Sequence, residues 1–294
     1  MTSTRKAKVV VVGSLHYDIM VEAPDRPRKG ETVTGYSWRP KFGGKGGNQA
    51  VAAAKANADV SMVGAVGDDD FGQFLLTKLQ TVNINVSRVE RLPGTGSGMS
   101  VAISDSSGDY GAVIVSGANL LVPPEAVTDA ALWSDAGALI LQNEMADDLN
   151  IAAARSARQA GVRVCLNAAP YRPLPPALSE VIDLLIVNAI EAEQLGGLEV
   201  RDLNSARTAA ERLTQHYATV VVTAGGDGVA GCEKGREPIA LEALPVELVS
   251  THGAGDVFVG TLVSAIASGA GFGASLKTAN DAAAAHVSSQ PAHA

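Results

Sequence analysis

At 294 residues the chain can form one large α/β domain or two, and 46% hydrophobic against 18% charged residues is the composition of a globular protein with a substantial core. A formal net charge of −8 argues against general nucleic-acid or anionic-membrane binding, although local amides and a few cations can still hold a small anion. Cys165 and Cys232 lie far apart in apolar runs, which suits free buried thiols in a reducing compartment, and no Cys/His spacing suggests zinc. The apolar run after the basic opening stops at Gly13, too short for a signal segment, and no stretch has membrane-spanning length, so a cytoplasmic protein is expected.

Residues 8–12 read as a buried parallel-type strand running into a Gly turn. From Asp18 to Phe42 the prolines at 24, 27 and 40 and the alternation between Glu31 and Trp38 suggest half-exposed antiparallel strands. Gly43-Gly44-Lys45-Gly46-Gly47 then leads into a helix over 48–57, a strand over 60–66 and a helix over 71–79. Apolar segments at 100–104 and 112–116 flank turn residues 105–109, a hairpin signal. Regular alternation follows, with strands at 138–142, 162–167, 184–188 and 219–223 and helices around 147–160, 191–195 and 204–217. A hairpin from 228–232 and 239–243 and helices at 262–268 and 274–287 complete the chain. Such alternation predicts right-handed βαβ units and a mostly parallel sheet covered on both faces. The two extended excursions, about 14–42 and 95–118, are expected to form one small β-subdomain, a candidate lid, within a single domain of residues 1–294.

In such sheets ligands bind beyond the carboxyl ends of the strands. Asp18, Glu144, Asn167, Asn188, the Thr223–Gly228 loop and the segment from His252 to Asp256 each follow an apolar run, the last of these being residues 244–249. Any one of them alone is as well explained as a turn or cap. Gly253-Ala254-Gly255-Asp256 at a helix start can turn free N–H groups toward an anion. A carboxylate beside an anion is unfavourable unless it works on a neighbouring proton, as a general base would; a helix cap through Asp256 is the plainer alternative. The glycine loop lacks the Ser or Thr of a P-loop after its lysine, yet its small residues let amides, Lys45 and Asn48 approach a polar ligand. Asn188 and Glu191, one helical turn apart, fit either a water-mediated Mg²⁺ site or a capping box.

In order and over nearly the whole chain, these motifs resemble the ribokinase-like (PfkB-type) family of sugar and nucleoside kinases. The stretch from Gly43 to Asn48, with Gly64, Gly67 and Gly72 beyond it, is similar to the first family signature, and residues 250–262 to the second. The resemblance implies a three-layer α/β/α sandwich with a mostly parallel central sheet and a small β-sheet lid. It implies an ATP-dependent sugar kinase using Mg²⁺, with Asp256 as base and the amides of Gly253, Ala254, Gly255 and Asp256 as anion hole. By position it assigns His16, Asp18, Gly44, Lys45, Asn48 and Glu144 to the sugar. Asn188 and Glu191 go to magnesium through water, with Asn188 also on the phosphates. Thr223, Gly225, Gly228, Gly255 and Asn280 go to the nucleotide. Phe42 to Ala52 and Gly30 to Gly35 look most like the ribokinase branch, so conversion of D-ribose to ribose 5-phosphate is expected. His16 stands where that branch usually has Asn, which keeps a nucleoside kinase or a 2-keto-3-deoxygluconate-type kinase as the alternative. Ser250 replaces an Asp that usually helps hold a monovalent cation, and residues 288–294 stop short of the usual cation loop, so potassium activation is not expected. An open β-lid exposes edges and apolar surface, from which a homodimer through the lid is expected.

Overall fold

The computed structural model describes residues 6–105 and 110–289. Most of the turn expected at 105–109 and the end of the tail lie outside the described residues. The first strand dictates the layering. In β1 (Lys8–Val12), Val9 and Val11 enter one buried cluster, and Val10 and Val12 another on the opposite face. Each such side chain contributes roughly 1.5–3 kcal/mol when fully buried, so both faces need a helical cover.

In chain order β2 (His16–Glu22) and β3 (Ser37–Gly43) come next. They are followed by α1 (Lys45–Lys55), β4 (Asp59–Gly67), α2 (Asp70–Thr81), β5 (Asn85–Leu92), β6 (Met99–Ser104) and β7 (Tyr110–Val115). The alternation continues with α3 (Ala130–Trp133), β8 (Ala136–Gln142), α4 (Asp147–Gln159), β9 (Arg163–Asn167), α5 (Pro176–Ser179), β10 (Leu184–Asn188) and α6 (Ala189–Gly196). The chain closes with α7 (Leu203–Leu213), β11 (Thr219–Thr223), β12 (Val229–Glu233), β13 (Ile239–Leu241), α8 (Ala254–Ala267) and α9 (Phe272–Ser288). The nine-stranded sheet has the order β13-β12-β11-β10-β9-β8-β1-β4-β5. It is parallel from β5 to β11, while β12 and β13 pair antiparallel at one edge. Helices α1, α2, α8 and α9 cover the Val9/Val11 face, and α4, α6 and α7 the Val10/Val12 face. This is the expected three-layer sandwich.

The two excursions meet in a second sheet of order β3-β2-β6-β7. The parallel pairing of β2 with β6 joins them, with antiparallel partners outside. Strand order reverses beside β1: the chain first adds β4 and β5 on one side of it and then returns to add β8 to β11 on the other, and a crevice opens beyond the carboxyl ends at such a point. The small sheet stands over that crevice as a lid. Cys165 and Cys232 are free and buried, and burial pushes the Cys165 thiol up to about 12, leaving it inert. No helix of the described residues is long and apolar enough to cross a membrane.

Three local expectations change. Residues 244–249 form no strand: Leu244, Val246, Leu248 and Val249 are 41–64% exposed, so the approach to α8 is a surface loop. The edge strand β5 has no counterpart among the expected elements, because of its eight residues only Val89 is buried and no period-2 pattern emerges. Helix α1 starts at Lys45, which puts Gly46 and Gly47 inside its first turn.

Candidate active site

Alternation along β2 puts His16 and Asp18 on one buried face of the lid. Asp18 accepts a hydrogen bond from the Ser100 hydroxyl on β6. A Cβ at Gly43 would lie 2.0 Å from Asp18 Oδ2, so only glycine leaves the carboxylate its place. Among the described residues, Nε2 of buried His16 has no hydrogen-bond partner. Gly44, at φ 85°, turns the chain into α1, and a Cβ there would meet the Ser14 carbonyl oxygen at 2.7 Å. A Cβ on Gly46 would meet the Gly13 carbonyl carbon at 2.5 Å. These glycines therefore seat α1 on the first turn of the chain as well as opening space for a ligand. Glu144, after β8, accepts from the Ser14 hydroxyl and, at 3.0 Å, from the Lys45 N–H at the start of α1.

Asp256 occupies the first turn of α8 and is 9% exposed. It accepts from Asn48 Nδ2 and Gln49 Nε2, both at 3.0 Å, from the facing helix α1. Gln49 also donates to Asn167 Oδ1 (3.0 Å) and accepts from Gln142 Nε2 (2.9 Å), so β8 and β9 brace the carboxylate through a chain of buried amides. Burial pushes the Asp256 carboxyl above the usual range. Lys45 and the donors Gln49 and Asn48 pull it back, and Glu144 adds to the rise. Among the described residues the N–H groups of Gly255 and Asp256 meet no acceptor, whereas that of Ala254 is spent on the Thr251 carbonyl at 3.3 Å. Nothing would lie within 4 Å of a Cβ on Gly255, which leaves the turn open to an anion.

A cavity of about 140 Å³ runs from this turn past Lys45 and Asn167 to Asn188, Glu191 and Thr223. Asn188 and Glu191 form a reciprocal capping box at α6. Asn188 Oδ1 accepts from the Glu191 N–H, and Glu191 Oε2 from the Asn188 N–H, each at 2.9 Å. Burial raises the Glu191 carboxyl against the opposing Asn188 N–H and Lys45. Both residues also line the cavity. Among the described residues no three His, Cys, Asp or Glu side chains cluster as a metal cage, so two hard oxygen donors suit a divalent ion that keeps its water and phosphate ligands.

Gly225 is open, but a Cβ on Gly228 would lie 2.1 Å from the Leu241 carbonyl oxygen, which makes that glycine a requirement of the β12–β13 approach. Asn280 on α9 donates to the Glu242 carbonyl at 2.8 Å and anchors the 242–252 loop, without lining the cavity. His286, which reads as a structural or surface residue of a helix, reaches the site loop through Nε2 and the His252 carbonyl at 2.9 Å. Gln142 carries no motif signal, Gln49 lies within a motif that assigns it no role, and both emerge only once α1, β8 and α8 are brought together.

The family described as pfkB family carbohydrate kinase matches residues 6–293. A ribokinase of Haemophilus influenzae is 32% identical over 286 residues, covering 97% of this chain and 93% of that protein. A deoxyribokinase of Salmonella typhimurium is 32% identical over 255 residues, covering 86% and 83%. The solved structure of Arabidopsis thaliana ribokinase complexed with ribose and ATP superposes with a TM-score of 0.91 at 31% identity, over 98% of this chain and 95% of that one.

Proposed function

The chain belongs to the pfkB family of carbohydrate kinases and is an ATP-dependent sugar kinase, and from that premise we propose that it phosphorylates the primary hydroxyl of D-ribose. One observation carries the mechanism: a buried, amide-braced Asp256 beside free N–H groups at the start of α8. Asp256 takes the hydroxyl proton as that oxygen bonds to the γ-phosphorus, the bond to the β,γ-bridging oxygen breaks, and ADP leaves. The amides of Gly255 and Asp256 hold charge that builds on the transferred group, and positioning supplies much of the rest. His16, Asp18, Gly44, Lys45, Asn48 and Glu144 hold the sugar, and Thr223 and Gly225 border the nucleotide. Asn188 and Glu191 would hold magnesium through water, which when bound supplies charge neutralisation at the phosphates. No potassium requirement is proposed, since Ser250 offers a hydroxyl where a carboxylate would serve a cation.

The ribose reading draws support from the relatives named above. His16, with its unpartnered Nε2 in the acceptor face, favours a second reading, a nucleoside kinase or a 2-keto-3-deoxygluconate-type kinase. ADP release measured across ribose, 2-deoxyribose, adenosine, cytidine and 2-keto-3-deoxygluconate decides between them. Ribose should give the highest kcat/KM, and Asp256→Asn should lower kcat at least about 1000-fold with ATP binding retained. A higher kcat/KM on another acceptor sinks ribose; near-normal turnover by the variant removes Asp256 as base.

A further inference from the structure

Lys41 is a cation the sequence motifs do not single out. It lies on β3 directly opposite Asp18 in the antiparallel register, on the face of the lid that also carries His16. From there β3 runs into α1, whose Asn48 and Gln49 hold Asp256. Its charge acts on both Asp18 and Asp256, and it is the foremost charged neighbour of His252, just before the free amides of α8.

The ammonium is half-buried, yet among the described residues it has no hydrogen bond or ion pair. Burial lowers its pKa against the pull of Asp18. The neighbouring carboxylates are already served by neutral donors, Asp18 by Ser100 and Asp256 by Asn48 and Gln49. A desolvated ammonium without a partner is costly unless a ligand supplies the missing acceptor. The amides at the start of α8, with Lys45 in the same cavity, reach a transferring phosphoryl group from the floor of the site, while its charge spreads over three equatorial oxygens and leaves the lid side for a further cation.

We propose that Lys41 is the lid-borne cation that contacts an equatorial oxygen of the phosphoryl group during transfer, opposite the amides of Gly255 and Asp256. Lys41 stays protonated throughout; the proton of the acceptor hydroxyl goes to Asp256, as above. The proposal rests on the kinase reading and adds a catalytic residue to it.

The test compares wild type, Lys41→Met, Lys41→Arg and Asp256→Asn with Mg·ATP and the best acceptor. Lys41→Met should lower kcat about 100-fold, with both KM values within about threefold, because the contact forms only in transfer. Lys41→Arg should recover at least a tenth of the wild-type rate. In calorimetry, Lys41→Met should weaken binding of ADP with aluminium fluoride, a mimic of the planar phosphoryl group, by a similar factor while leaving ADP alone unaffected. A purely structural role would not separate those two ligands. Turnover that Asp256→Asn abolishes and Lys41→Met leaves intact overturns the proposal and spares the kinase reading. A loss confined to the acceptor KM also overturns it, making Lys41 a sugar-binding residue. If wild type phosphorylates no sugar or nucleoside, the kinase reading fails and the proposal falls with it.

Discussion

Asp256 is held between opposing influences: burial disfavours its charge, and Lys45, Gln49 and Asn48 favour it. Since burial wins, the acid limb of the kcat profile should lie above the value near 4 of an ordinary aspartate if Asp256 is the base proposed above, because a base works only when ionised. The same shift has a stability sign. A carboxyl whose folded pKa exceeds its unfolded one contributes stability that is complete below the unfolded pKa and is lost as pH rises through the folded pKa. The melting temperature of Asp256→Asn relative to wild type should therefore climb from pH 4 to pH 8; a flat difference would show that the amides cancel the burial. Glu191 permits a separate measurement. Glu191→Gln keeps an oxygen to accept from the Asn188 N–H, so the cap and the melting temperature should change little, while the Mg²⁺ needed for half-maximal rate should rise roughly tenfold. An unchanged Mg²⁺ requirement would leave Glu191 as a cap alone.

The crossing of α1 and α8 sets the spacing between Asn48, proposed to hold the acceptor, and Asp256, the proposed base. Gly260 makes the crossing close: a Cβ there would meet the Gln49 carbonyl oxygen at 2.5 Å and Ala52 Cβ at 2.6 Å. Gly260→Ala should destabilise by about 1–3 kcal/mol, as overpacking does. It should also lower kcat, since α1 carries Asn48 and Gln49 and α8 carries Asp256. Urea unfolding and steady-state kinetics check both, and loss of stability without loss of kcat would separate the crossing from the chemistry. Both partners of this crossing were legible as glycine-rich helix starts, because small residues before a helix leave a local signature. The amide chain from Gln142 through Gln49 to Asp256 was not, since a glutamine in a strand or helix looks the same whether it braces a carboxylate or faces water. Residues 244–249 misled for a related reason: apolar runs are read as buried, and these stay exposed beside the site. β5 failed the opposite way, as an edge strand with one buried side chain has no period to read.

At the scale of the whole molecule, the lid raises the question of what covers its far face. Opposite the side carrying His16, Asp18 and Lys41, the register aligns Trp38 with Val21, Ile19 with Val101, and Val101 with Val113, giving a continuous apolar surface. Tyr17 at one end is covered, stacked 4.0 Å from the Phe71 ring of α2. Trp38, Val113 and Val115 remain 51–69% exposed, and among the described residues β3 and β7 are the edge strands of this sheet. A sheet with exposed edges and an exposed apolar face is an association surface, and we propose that a second copy of this chain covers it. The chain should sediment as a dimer at micromolar concentration and Val113→Asp as a folded monomer. Pairing would also steady the lid over both sites, so specific activity should fall when wild type is diluted below its dissociation constant, and Val113→Asp should show the low value at every concentration. A wild-type monomer, or a dimer that Val113→Asp leaves intact, would place the interface elsewhere or remove it.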